Sequence, residues 1–217
     1  MPRSRLLCAI ALAAMAARAT AMTVVPLSIA DLTQSSAATV LATVEDVQVE
    51  LVGDGHLRTL VRISIEQVIA GYLTDSELTL VEAGGVLDDD AEIIDAAPQF
   101  VAGERVVLFL ARRTDGTWRT NHMLLGKFHI EGTDSGSARA LQPLPSNTTV
   151  LLPPGVSAPN PVLPFDTLME SIRSAAAGFP VASVTAANTD SGYSAAFTLA
   201  VVNNQNGRFF DPDEGKP

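Results

Sequence analysis

With 217 residues, a formal charge of −10, 47% hydrophobic residues and a single cysteine, the chain has apolar material for a buried core and no disulfide framework to support it. An acidic surface repels phosphate, so nucleic acid and anionic lipid are excluded as expected partners. Aromatic residues make up only 5%, which leaves no stacking platform for single strands and assigns the core to Val, Ile, Leu and Ala.

The first residues read as a secretory signal peptide, 1–21: Arg3 and Arg5, an apolar run from Leu6 to Ala17, then the small-x-small site Ala19-Thr20-Ala21 with cleavage expected after Ala21. The run is short of the roughly 20 residues that span a bilayer, and the one cysteine, Cys8, leaves with it. The remaining chain, 22–217, is therefore expected to be secreted or periplasmic, cysteine-free and outside the membrane.

Ser28 is placed to cap a short helix through Asp31 and Leu32. Two long strands follow, Thr39–Leu51 and Leu57–Gly71, about the turn Gly53-Asp54-Gly55-His56. In the first, apolar residues occupy even positions (Val40, Ala42, Val44) and then odd ones (Val47, Val49, Leu51). Side chains alternate faces with period two, so this slip predicts a bulge at Glu45-Asp46. A similar slip at Glu66-Gln67 predicts a second. Long, bent, paired strands predict a small closed barrel.

A third strand is expected over Glu77–Val81 with Leu78 and Leu80 inward, then an irregular loop, 82–103, holding Gly84-Gly85 and the acidic run Asp88-Asp89-Asp90. Val106-Val107-Leu108-Phe109-Leu110 is apolar on both faces, as in a strand covered on both sides. Asp115-Gly116 turns the chain into a fifth strand, Thr117–Glu131, kinked at Gly126, and Ala138–Leu141 is a short sixth. Seven prolines between Pro143 and Pro164 predict an extended surface tether, 143–164. Thr167-Leu168-Met169-Glu170 reads as a capping box for a helix, 165–178, whose apolar stripe docks on the barrel. The tail, 179–217, is expected to be poorly ordered.

The order of short helix, bent strand pair ending in Val68-Ile69-Ala70-Gly71, short strand, long loop and Gly103-Glu104-Arg105-Val106-Val107-Leu108-Phe109-Leu110 resembles the netrin-like domain, over roughly residues 28–131 within an expected barrel domain of 22–142. It is similar to the N-terminal domain of tissue inhibitors of metalloproteinases and to secreted bacterial proteins of this pattern. The resemblance implies a mainly β, OB-type barrel of five to six strands flanked by an N-terminal and a C-terminal helix. In the inhibitors it implies a mature N-terminus that enters a protease cleft, where a terminal cysteine chelates zinc. The corresponding start here is Met22-Thr23, which has no cysteine.

Four loop acids, Asp88, Asp90, Glu92 and Asp95, form a candidate Ca2+ set, since clustered carboxylates supply the oxygens this hard cation takes, although their spacing is not that of an EF-hand. A solvated acidic loop is the plainer reading. His122 and His129 stand seven apart, which puts them on opposite faces of one strand and argues against a shared metal. No Gly-x-Ser-x-Gly elbow, His-Glu-x-x-His, phosphate loop or dinucleotide fingerprint occurs, so no catalytic residues are assigned and the protein is not expected to be an enzyme. The leading expectation is a module that binds another secreted protein, with a protease as one partner class. The alternatives are a calcium module or small enzyme built on the 82–103 loop, and a structural accessory domain. No other cofactor is implied.

Overall fold

The computed structural model describes residues 22–53, 55–132, 136–142, 148–152, 162–179 and 198–201. The expected leader, 1–21, and most of the expected tail lie outside these residues. The protein is mainly β, with a closed five-strand barrel and two helices. Strand β1 (Met22–Leu27) leads into helix α1 (Ile29–Ser35), then β2 (Ala38–Leu51), β3 (Leu57–Gly71) and β4 (Glu77–Ala83). A small hairpin, β5 (Gly85–Leu87) and β6 (Asp90–Glu92), precedes β7 (Arg105–Arg112), β8 (Trp118–Thr120) and β9 (Lys127–Glu131). Short strands β10 (Arg139–Leu141), β11 (Thr148–Val150) and β12 (Val162–Pro164), helix α2 (Phe165–Ala176) and β13 (Thr198–Val201) complete the order.

Antiparallel pairing joins β7, β2, β3 and β4, and β8 closes the ring by lying parallel to β4 and antiparallel to β7. That ring order, with one parallel seam, is OB-like. The bends that permit closure come where the sequence changes phase. Pairing of β2 with β3 shifts between Val44 and Asp46, which leaves Glu45 unpaired, and between Leu41 and Ala42, which leaves Glu66 unpaired on β3. A third shift, between Thr39 and Val40, passes over Ile69 and has no phase slip to announce it.

Strand β7 divides two cores. Val106, Leu108 and Leu110 point into the barrel with Val40, Ala42, Val44, Val61, Ile63 and Leu80. Val107 and Phe109 point the other way, into a layer formed with Leu32 of α1 and Leu168, Met169 and Ile172 of α2. Every residue from Val106 to Leu110 is 0% exposed, which is why the strand is apolar on both faces. Phe109 meets Phe128 in a tilted pair with centroids 6.1 Å apart. Helix α1 carries the expected cap: the Asp31 amide donates to Ser28 Oγ at 3.0 Å and the Ser28 amide donates back to Asp31 Oδ2 at 3.1 Å.

Three expectations are corrected. The single fifth strand, Thr117–Glu131, is two strands separated by a 3-10 turn over Met123–Gly126. Both strands pair with the same edge of β7: Leu110 faces Thr120 and Leu108 faces Lys127, so residues 121–126 loop out between neighbouring positions of β7. His122 and Met123 take φ of 53° and 58° to make the turn, and a Cβ on Gly126 would stand 2.1 Å from the Asn121 carbonyl oxygen, so glycine is required. The 82–103 loop is not irregular throughout, since it holds the β5–β6 hairpin. Within the expected tether, much of which lies outside the described residues, two short edge strands pair, β11 beside β1 and β12 beside β10, as proline-rich chain permits at a sheet edge. Finally, α2 starts directly after β12 with Pro164 at its N-cap and no side-chain cap bond, so Thr167 falls inside the first turn and no capping box forms there. Among the described residues no helix is long and apolar enough to cross a membrane.

Candidate functional site

Of the expected site residues, Met22 and Thr23 have paired backbones: β1 aligns parallel with β11 from Met22 opposite Thr148, and its later residues pair antiparallel with β13. The four loop acids divide. Asp88 sits in the β5–β6 turn with φ of 52°, a conformation Asp tolerates, and Asp90 opens β6; both are exposed, as is Asp95 beyond the hairpin. Glu92 turns back to the barrel instead. Its Oε2 accepts from the Leu57 amide at 2.6 Å and its Oε1 lies 2.9 Å from His56 Nδ1. Among the described residues no three His, Cys, Asp or Glu side chains gather as a metal-binding group.

The hairpin is firmly mounted. Gly84 donates to the Leu57 carbonyl at 2.9 Å, and Thr59 Oγ1 donates to the Gly84 carbonyl at 2.7 Å. Gly85, with φ of 151°, lets β5 lie against β2 so closely that a Cβ would fall 2.7 Å from Val49 Cγ1. Strand alternation then decides the faces: Gly85 and Glu92 are opposed on the barrel side, Val86 and Ala91 on the outer side. Val86 is 61% exposed, Ile93 just past β6 is 76% exposed, and Leu51 at the end of β2 is 59% exposed. A rigid platform thus holds large apolar side chains in water, with Asp88, Asp89 and Asp90 exposed at its tip.

The two histidines serve different elements. His122 Nε2 lies 3.0 Å from Ser35 Oγ, while Asn121 Nδ2 donates to the Ser35 carbonyl and to Ser36 Oγ, so the looped-out turn holds the end of α1. Burial, and secondarily Arg119, holds the His122 ring below the usual imidazole pKa. His129 Nδ1 lies 3.2 Å from Glu104 Oε2, and Lys127 Nζ donates to Glu104 Oε1 at 2.6 Å, to the Gln99 carbonyl and toward the Phe100 ring, 4.4 Å from its centroid. Burial pushes the Lys127 ammonium below its ordinary pKa against the pull of Glu104. All these partners lie at the end of the loop or on β9, so the cluster ties residues 99–104 to the sheet.

Two further features escape sequence reading. Glu82, 5% exposed, projects into the ring closure, where Oε1 accepts from the Thr120 amide at 2.7 Å. Burial pushes its carboxyl up to about 7, opposed by Thr120, Arg113 and Arg119. The signal was present, since Leu78 and Leu80 face inward and period two carries the next inward position to Glu82. The other feature is an open groove of about 560 Å3 between α2 and the barrel, lined by Leu41, Gln67, Arg105, Phe165, Met169 and Arg173 among others. Arg105 is already engaged: it grips Glu66 with Nε and Nη2, the latter at 2.7 Å, and stands over the Phe165 ring. The arginine holds the Glu66 carboxyl below its ordinary pKa despite partial burial. Bulging at Glu66 is what brings that carboxylate to Arg105, so this ion pair fastens the bend.

Fold and site together define an OB-like barrel that presents an apolar, acid-tipped hairpin. Comparison with protein-family models, with curated proteins and with solved structures finds no match for this chain.

Proposed function

We propose that this is a secreted or periplasmic protein-binding module of netrin-like type, and that it meets its partner with the outer face of the β5–β6 hairpin. The observation that carries the reading is the exposure of Val86 and Ile93 on a hairpin fixed by backbone and side-chain bonds to the barrel end. Rigid apolar side chains lose little conformational freedom on docking, which favours contact with another folded surface. The strand order and the leader-like start of the chain support the netrin-like and export parts of the proposal, and a secreted protease is one partner class that resemblance supplies. Asp88, Asp90 and Asp95 remain available to Ca2+ as the alternative use of the same loop.

Photo-crosslinking residues placed singly at Val86, Ile93 and, as a distant control on α2, Arg173 test this in the source organism. Capture of one defined protein from the first two positions and not from the third is the expected outcome. No adduct above background at Val86 and Ile93 sinks the reading. If the captured protein is a protease, its activity with and without the module decides between inhibition and mere association.

A further inference from the structure

We infer that the hairpin's partner is a cationic amphipathic segment of another protein, one that sets aliphatic or aromatic side chains on Val86 and Ile93 and lysines or arginines against the β5–β6 turn. This rests on the protein-binding reading above and adds the chemistry of the partner. Asp88, Asp89 and Asp90 are all exposed and form no ion pair among the described residues, in contrast to Glu50, Glu66 and Glu104, which each face an arginine or lysine. Three adjacent carboxylates beside an apolar face create a field that a cationic surface relieves and an anionic one worsens. A second copy of this chain meeting it face to face offers the same acidic hairpin and no cation on it, so it is not the partner inferred here. Nothing basic lies on the hairpin itself: residues 84–95 contain no Lys or Arg.

The test uses the purified protein and three synthetic peptides of equal length: Lys/Leu, Lys/Ser and Glu/Leu. Affinities are read by calorimetry and contacts by amide chemical shifts. The expected result is binding of the Lys/Leu peptide with shifts centred on residues 84–93, weakened about tenfold or more by V86S/I93S and about tenfold by D88N/D89N/D90N, with most of the salt dependence lost in the latter. Asn accepts the turn conformation at position 88, and Val86 and Ile93 are on the surface, so both variants are expected to keep the wild-type melting temperature. Equal binding of Lys/Ser overturns the inference by reducing it to ion exchange. Equal binding of Glu/Leu overturns the charge selection and leaves the protein-binding reading intact. Shifts outside the hairpin, or none with any peptide, overturn the inference, and the crosslinking result then decides the broader reading separately. Ca2+ that shifts Asp88–Asp90 and abolishes peptide binding would assign the turn to the metal and overturn it as well.

Discussion

The wall formed by β2, β7 and the helices and the end formed by the β5–β6 hairpin are made from the same kinds of residue and use them in opposite ways. On the wall, Val107, Phe109, Leu168 and Ile172 are 0% exposed and each apolar side chain has another element to cover it. At the hairpin, the strand of Val86 is paired in register with its neighbour, yet Val86 and Ile93 have no covering layer. What holds the hairpin is a set of hydrogen bonds and a close glycine contact rather than burial of its outer face. Its apolar side chains are therefore dispensable for folding, while those of the wall are not.

The comparison is most severely strained by Phe109→Ala, which removes a ring wedged between Phe128 and α2 and should cost about 3–5 kcal/mol in urea unfolding. A loss below about 1 kcal/mol would mean that the helices do not press on the barrel as described. Next in size is the buried carboxylate at the ring closure. With its pKa raised from 4.5 to about 7, native Glu82 keeps a proton that the unfolded chain has released, so folding stability should fall as pH rises from about 4.5 to about 7 and level off above. The corresponding penalty above pH 7 is about 3 kcal/mol. Glu82→Gln keeps an acceptor for the Thr120 amide without the charge. It should match the wild type near pH 4.5, be more stable at pH 8 by up to that amount, and flatten the profile between; parallel profiles for the two proteins would show that Glu82 titrates normally.

Gly126→Ala probes the turn between β8 and β9, where a Cβ would press on a backbone oxygen; about 1–3 kcal/mol of destabilisation is expected, with loosening of α1 seen as faster amide exchange because His122 and Asn121 hold its end. At the small end, V86S/I93S should change stability by no more than about 0.5 kcal/mol. A larger loss would make the hairpin's outer face part of the core and erase the contrast with the wall.

Much of the architecture was legible because it follows from local periodicity. A strand must change phase where apolar positions pass from even to odd, and it does so at Glu45 and at Glu66. Five consecutive apolar residues from Val106 must be covered on both faces, and they are. Ser28 with Asp31 had to begin a helix, since the two side chains satisfy each other's amides. Less of the candidate site was legible. Composition marked the acidic loop, but Val86 and Ile93 were hidden in it because their exposure depends on which side of a three-residue strand Gly85 turns toward Val49. Glu82 could be reached by extending the Leu78–Leu80 alternation, and its charge masked that step.

Residue order alone thus determined the faces of the long strands, two of the three bulges between β2 and β3, and where helices start and end to within a turn. Tertiary structure alone decided who shares an edge. Whether residues 117–131 make one strand or two depends on β7 offering a single edge to both β8 and β9, and the fate of Thr167 depends on β12 reaching Pro164 before the helix begins. Periodicity is a property of neighbours along the chain, whereas pairing and burial are set by residues far apart in it, which no short stretch of sequence contains.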